Sequence, residues 1–177
     1  MKRFKSPLCQ ILQPVTVLLT TVIVSMTLAA GCSYYSLSGS LPAHIKTCAV
    51  PLFENETVEV DIVENITAEV IDAIISDGNM DVVSEFKADA IVNGTIVDIV
   101  EMPATYTKEE EAKQFKISVY ANVQFFDRKK NEVIWEEENM EGWANFDAGD
   151  ISAREEGIKE ALEMLAKEII DKTVSGW

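Results

Sequence analysis

Three cysteines, one histidine and a cluster of three consecutive bases are the residues of this 177-residue chain best able to do distinctive chemistry. Cys32 closes the run Leu28-Ala29-Ala30-Gly31-Cys32, small residues followed by a thiol. That is what lipoprotein signal peptidase requires, because the thiol must first accept a diacylglycerol. Upstream, Lys2, Arg3 and Lys5 precede an apolar stretch over residues 15–30 diluted by Thr and Ser and free of acids. The stretch is short and ends in small residues, the pattern of a secretory signal peptide rather than a membrane span. An ordinary signal peptide with an incidental Cys and an uncleaved anchor are the alternatives. Cleavage before Cys32 removes Cys9 and lipidation consumes Cys32, which leaves Cys48 alone. In the apolar run Thr47-Cys48-Ala49-Val50 it reads as a small buried hydrophobe, with no partner for an internal disulfide and no sign of a nucleophile. Acylation of Cys32 would hold the protein firmly, since stable anchoring takes two or more membrane signals.

The charged residues narrow the function further. Beyond residue 31, the chain carries 12 Lys+Arg against 30 Asp+Glu. A body this acidic argues against a nucleic-acid partner, which needs clustered bases for phosphate. One His and one spare Cys leave no ligand set for zinc, haem or iron–sulfur, so no metal or other cofactor is expected. Asp98, Glu101 and Glu136, Glu137 and Glu138 supply carboxylates without a spacing that sets an acid against a base. No glycine-rich phosphate loop or Gly-x-Ser-x-Gly elbow is present, so no catalytic residue is assigned. His44 stands alone in sequence and reads as a loop residue rather than a ligand. Arg128-Lys129-Lys130 is the densest basic cluster, on a hairpin tip, where it could engage phosphates or carboxylates; charged tips also serve solubility alone. Lys116 is a second basic candidate. Asn55-Glu56-Thr57, Asn65-Ile66-Thr67 and Asn93-Gly94-Thr95 match glycosylation sequons by chance.

The elements that must position these residues follow from periodicity. Residues 45–53 are almost continuously apolar and read as a buried strand, with Pro51 at its terminal part. Val63, Ile66, Val70 and Ile74 recur at helical spacing, with Asp61 as a capping start and Gly78 as the stop. Residues 80–86 predict a short strand. Ala90, Val92, Gly94 and Ile96 share one strand face, whereas Val97 and Ile99 continue on the other, which predicts a bulge. Residues 103–113 read as a polar loop. Phe115 to Phe125 alternates strictly, one face buried and one wet. Residues 127–131 form a hairpin turn into the strand around Trp135. Ser152-Ala153-Arg154-Glu155 predicts a capping box opening a last helix with Ile158, Leu162, Leu165 and Ile169 on its apolar stripe. The expected fold is α+β: a two-layer sandwich with a mixed four- to five-stranded sheet and two helices packed on one face. Residues 1–31 form the signal peptide, 32–43 a lipidated tether and 44–177 a single domain.

Gly31-Cys32-Ser33-Tyr34-Tyr35-Ser36, then Leu41-Pro42-Ala43-His44-Ile45-Lys46-Thr47 and Val50-Pro51-Leu52-Phe53-Glu54-Asn55-Glu56-Thr57, resemble the start of the LptE family, the outer-membrane LPS-assembly lipoproteins. The similarity continues through Asp77-Gly78, Ala88-Asp89-Ala90, Asn93-Gly94-Thr95-Ile96 and Val133-Ile134-Trp135-Glu136-Glu137-Glu138-Asn139 to Ser175-Gly176-Trp177. Curli-type secretion lipoproteins share the block over 45–96, but Tyr34-Tyr35 beside the Cys, the single-domain length and the one terminal helix favour LptE. The resemblance implies a non-enzymatic plug for the β-barrel of the LPS translocon, an LptD-like partner, which it would help to fold and to pass LPS. It also implies the outer membrane, facing the periplasm, since Ser33 stands where Asp would signal inner-membrane retention in enteric bacteria. Arg128, Lys129, Lys130 and Lys116 are then candidate LPS contacts, local ones, because the net charge opposes generic attraction to an anionic glycolipid. Tyr34 and Tyr35 suit the membrane interface. Trp143 and Phe146 are candidate barrel contacts, whereas Trp135 reads as core. A curli-type component, which would build its own ring, and a generic periplasmic binding module are the alternatives.

Overall fold

A computed structural model describes residues 41–106, 112–149 and 151–175. Strands β1 (Thr47–Ala49) and β2 (Glu54–Asn55) precede helix α1 (Ile62–Asp77). β3 (Asp81–Val82), a 3-10 turn (Glu85–Lys87), β4 (Ala90–Tyr106), β5 (Ala112–Asp127), β6 (Glu132–Asp147) and α2 (Ile151–Ser175) follow. The sheet order is β3-β1-β4-β5-β6, with β2 adding to β4 beyond β1. β1 and β2 run parallel to β4, whereas β4, β5 and β6 form an antiparallel meander. This is the expected α+β layering, with a six-stranded mixed sheet.

The β-branched and aromatic alternation of β5 dictates which face is covered. Ile117, Val119, Ala121, Val123 and Phe125 are buried with Ala90, Val92 and Ile96 of β4 and Trp135, Met140 and Ala144 of β6. Against them lie Ile66, Val70 and Ile74 of α1 and Leu162, Leu165 and Ile169 of α2. Burying each such side chain contributes about 1.5–3 kcal/mol. Two glycines set the layer spacing. A Cβ on Gly142 would sit 2.1 Å from the Ala161 carbonyl oxygen, so α2 rests directly on β6 there. A Cβ on Gly94 would sit 2.0 Å from Phe53 Cε1, so the ring occupies the space a side chain would need. The bulge expected near Val97 lies between Ile96 and Asp98. It restores parity: Ile99 faces the helices, opposite Val119.

Several sequence expectations change. The first strand is cut to Thr47–Ala49, and Phe53 turns inward with its N–H donating to Thr67 Oγ1 at 3.1 Å. The strand expected over 80–86 is two residues, Asp81–Val82, followed by the 3-10 turn. Of the polar loop expected over 103–113, residues 107–111 lie outside the described residues, and the parts on either side are ladder: Pro103 pairs with Phe115, Thr105 with Gln114 and Tyr106 with Ala112. Polar composition does not end a strand whose backbone groups already have partners on the neighbouring one. α2 begins at Ile151, which puts Ser152 inside the helix rather than at its cap. At the start of α1, Asp61 makes no side-chain cap bond, but Gly78 ends that helix in the left-handed region (φ 72°), its N–H donating to Ile74 O at 3.1 Å.

Candidate functional site

Because both helices pack on one side, the other face of the long β4–β5–β6 meander is left open. In register, Met102, Lys116 and Asn145 form one row across it, Val100, Ser118 and Trp143 the next, and Asp98, Tyr120 and Glu141 a third. Glu141 is the hub. Its Oε1 accepts from Lys116 Nζ at 2.8 Å, Ser118 Oγ at 2.7 Å and Tyr120 OH at 3.3 Å. The Lys116 ammonium, then the Ser118 hydroxyl, hold the Glu141 carboxyl below its ordinary pKa against the opposing effect of burial. An ionised carboxylate holding three donors is a poor proton acceptor, and Ser118 is fully buried, so this cluster is built for rigidity, not nucleophilic attack. Lys116 Nζ also lies 5.0 Å above the Trp143 ring, which fixes the indole as a cation–π partner. Trp143 and Met102 remain 40% and 49% exposed. Further along this face lies a trough of about 270 Å³, lined by Leu52, Asn93, Thr95, Asn122, Gln124 and Glu136 among others.

The basic hairpin tip is engaged by the protein itself. The Arg128 guanidinium donates to the carbonyls of Glu85 and Ala88, Lys129 pairs with Asp89 at 2.8 Å and Lys130 with Glu132 at 3.2 Å. Asp127 organises the turn, its Oδ1 accepting from the N–H groups of Lys129 at 2.8 Å and Lys130 at 3.0 Å. His44, isolated in sequence, meets Asp127 Oδ2 at 2.5 Å. Burial alone would raise the Asp127 pKa, but the Lys130 N–H, His44 and the Lys129 N–H outweigh it and the net shift is downward. Asp89 is depressed further, first by Lys129, then by the Lys46 N–H.

The aromatic candidates separate. Phe146 is buried and stacks on Phe115 at 5.7 Å, so its ring serves the core. Trp135 is core too, 6.2 Å from Phe125 and capped by Lys172 at 5.6 Å. Trp143 presents its ring on the open face. Cys48 is buried, and burial pushes its thiol pKa up to about 12, which suits packing rather than reactivity. Cys32, Tyr34 and Tyr35 lie outside the described residues. The sequence alone assigns no site role to Glu141, Asp89, Asp127 or Arg154. Arg154 bridges Glu59 and Glu101 at 2.6 Å each, and only the fold brings those three segments together. The sequon at Asn55 is an Asx turn: Asn55 Oδ1 accepts from the Thr57 N–H and hydroxyl, both at 2.8 Å.

Fold and face together define an open-faced α+β sandwich, with helices on one side and a sheet presented on the other. The family model for lipopolysaccharide assembly, LptE, matches residues 45–173, and the chain belongs to that family. Among solved structures it is similar to protein XCC0632 from Xanthomonas campestris (TM-score 0.57, 10% identity, 76% of this chain and 90% of that one covered). It is also similar to the hypothetical protein CT253 from Chlamydia trachomatis (TM-score 0.52, 12% identity, 72% and 95% covered). A third likeness is to the PelC dodecamer from Paraburkholderia phytofirmans (TM-score 0.50, 15% identity, 79% and 95% covered). At these identities the likeness concerns the fold alone. No curated protein matches the chain.

Proposed function

We propose that the chain is a non-enzymatic lipoprotein of the outer membrane, anchored through acylated Cys32 and facing the periplasm. It plugs the β-barrel of the LPS translocon, helps that barrel assemble and aids passage of LPS to the outer leaflet. The observation that carries this reading is family membership across residues 45–173. The open sheet face gives it a physical basis. A rigid, helix-free surface with Trp143 and Met102 standing out among internally paired charges suits packing against a barrel wall, where aromatic anchors dominate contact energy. Tyr34 and Tyr35, beside the anchor, suit the membrane interface.

For LPS itself, Lys116 is the preferred contact. Its ammonium sits between Trp143 and Glu141 on the face that would meet the barrel lumen, so a lipid-borne phosphate can be recognised beside an apolar ring. Lys129 and Lys130 are paired as well, with Asp89 and Glu132, and Arg128 is bonded to backbone carbonyls; what favours Lys116 is the exposed Trp143 ring beside it. The test is affinity purification of the C-terminally tagged protein from native outer membranes, with mass spectrometry of what stays bound in detergent. A stoichiometric partner of barrel size is expected. A homo-oligomeric ring, or the lipoprotein alone, would sink the plug reading.

A further inference from the structure

An edge strand presents backbone N–H and C=O groups that no neighbour has taken, and proteins shorten, kink or charge such edges to keep other strands off. On one side of this sheet the outer strands β2 and β3 are two residues each. The other edge is β6, sixteen residues long, and its two halves differ. Over Glu132–Asn139 the ladder shifts register twice, between Ala121 and Val123 and between Phe125 and Phe126 of β5. Asn139 takes a left-handed φ of 56°, and four glutamates lie in the same half. Bulges and charge of this kind block strand addition. Over Met140–Asp147, eight residues pair with Gln114–Ala121 without a break, and the stretch holds no Pro, no Lys and no bulge.

Register fixes which backbone groups of that smooth half are unpaired. Ala148 N–H donates to Lys113 O at 3.1 Å, just past the end of the ladder. Backbone direction alternates along a strand, so Phe146, Ala144, Gly142 and Met140 also turn their N–H and C=O groups to β5. Asp147, Asn145, Trp143 and Glu141 turn theirs away from it, opposite Gln114, Lys116, Ser118 and Tyr120. Trp143 and Asn145 are exposed, and among the described residues nothing bonds to their backbone groups. A strand laid against this edge would bond to those groups and bring alternate side chains beside the Trp143 ring.

Charge decides what kind of strand fits. β6 carries six acids and no base. Glu132, Glu137 and Glu141 are matched by Lys130, Lys172 and Lys116. Glu136 and Asp147 meet only the side-chain amides of Gln124 and Gln114, at 3.4 and 3.2 Å, and the exposed Glu138 has no cationic partner among the described residues. Uncompensated carboxylates therefore flank the smooth half at both ends, Asp147 at one and Glu138 with Glu136 at the other. A second copy of β6 would bring more acid beside them, and like charges across a strand pair are destabilising. A segment with Lys or Arg at both ends and apolar side chains between them complements the edge.

We propose that the Met140–Asp147 edge of β6 receives a strand from the barrel partner: an extended segment, basic at its ends and apolar between, hydrogen-bonded to the outward groups of Trp143 and Asn145. This rests on the plug reading above and deepens it, adding main-chain bonds to the side-chain contacts of the open face. In such strand addition the backbone bonds give affinity and the alternate side chains give specificity. The added strand widens the sheet and leaves Trp143 and Lys116 facing the barrel wall.

The test uses the full-length acylated protein, alone and in complex with the barrel partner purified with it from native outer membranes. Amide hydrogen exchange is read residue by residue by mass spectrometry. The N–H groups of Trp143 and Asn145 are expected to exchange as open amides in the free protein and to slow about tenfold or more in the complex. Asn145→Pro removes an outward N–H and no bond to β5, so it should keep its circular dichroism and lose about tenfold in capture of the barrel. Asn145→Ala keeps that N–H and should bind like the parent. Glu138→Lys with Asp147→Lys should also weaken capture, and this pair serves if Asn145→Pro does not fold. Fast exchange at both amides in an intact complex overturns the strand addition and leaves the plug reading standing. Slowing that appears in the lipoprotein alone, in a species of twice its mass, gives the edge to a second copy and overturns the proposal as well. Absence of any barrel-sized partner removes the plug reading and the strand addition together.

Discussion

His44 Nε2 and Asp127 Oδ2 lie 2.5 Å apart although 83 positions separate the residues in sequence. The contact fastens the segment that leads into β1 to the turn between β5 and β6. Asp127 also accepts two backbone N–H groups of that turn, so a single buried carboxylate joins the entry of the chain to the far side of the meander.

Asp127→Asn keeps the shape but loses the charge and one acceptor. Breaking charge-assisted bonds to a buried group costs about 2 kcal/mol. Urea unfolding should show that loss at neutral pH, and His44→Ala a smaller one. A midpoint unchanged in Asp127→Asn would show that the turn holds without it.

Acid should act through the same groups. Asp89, Asp127 and Glu141 all have native pKa values below their ordinary ones. A carboxylate depressed in the folded state contributes stability that is fully present above its unfolded pKa, about 4, and is lost as pH falls through its native value. Glu69 works in the opposite sense, its pKa raised by burial and then by Glu163, with Lys159 opposing and Asp72 adding. Three depressed groups outweigh one raised group, so the urea midpoint should hold between pH 7 and pH 5 and fall below about pH 4. A midpoint that rises on acidification there contradicts this assignment.

Gly142→Ala and Gly94→Ala both add one methyl group to a contact with no room for it, but the neighbours differ. At Gly142 the obstacle is the α2 backbone at Ala161, which cannot move without lifting the helix, so a loss of about 3 kcal/mol is expected. At Gly94 the obstacle is the Phe53 ring. Combining Gly94→Ala with Phe53→Leu should therefore destabilise less than the sum of the two single changes, whereas Gly142→Ala has no such rescue. Thermal unfolding of the four variants decides it.

Trp143→Ala removes the ring most exposed on the open sheet face while leaving the core untouched. Stability should change by less than about 1 kcal/mol, whereas capture of the barrel-sized partner should weaken by about 2 kcal/mol, roughly 30-fold. Lys116→Gln frees Glu141 from its ammonium partner and tests the LPS contact at the same place. Detergent pull-down measured alongside circular dichroism separates loss of contact from loss of fold. Equal capture by Trp143→Ala and the parent chain would move the interface elsewhere.

Local patterns carried much of the fold. The period-2 alternation from Phe115 to Phe125 and the 3.6-residue stripes of the helices identify, by themselves, which side chains go inside, because burial on one face is a local requirement of each element. The left-handed stop at Gly78, the hairpin turn after Asp127 and the bulge after Ile96 are legible for the same reason. Strand ends were not: β4 and β5 run on through residues read as loop, since pairing with a neighbour supplies what polar composition lacks.

The residues that make surfaces belong to the tertiary structure. Glu141 gathers Lys116, Ser118 and Tyr120 across two strands, Arg154 joins Glu59 to Glu101, and Arg128 braces the turn that carries Phe86. None has a sequence spacing that announces it, because the partners are brought together by sheet register and helix docking. Sequence alone determined the layers, the acidic body and the family likeness, which depend on each residue's own polarity and its near neighbours. Only the packed structure decided which bases are spent on internal carboxylates, which aromatics remain exposed, and which end of the sheet receives the chain. Those outcomes depend on distances between segments dozens of residues apart, and no local periodicity encodes such distances.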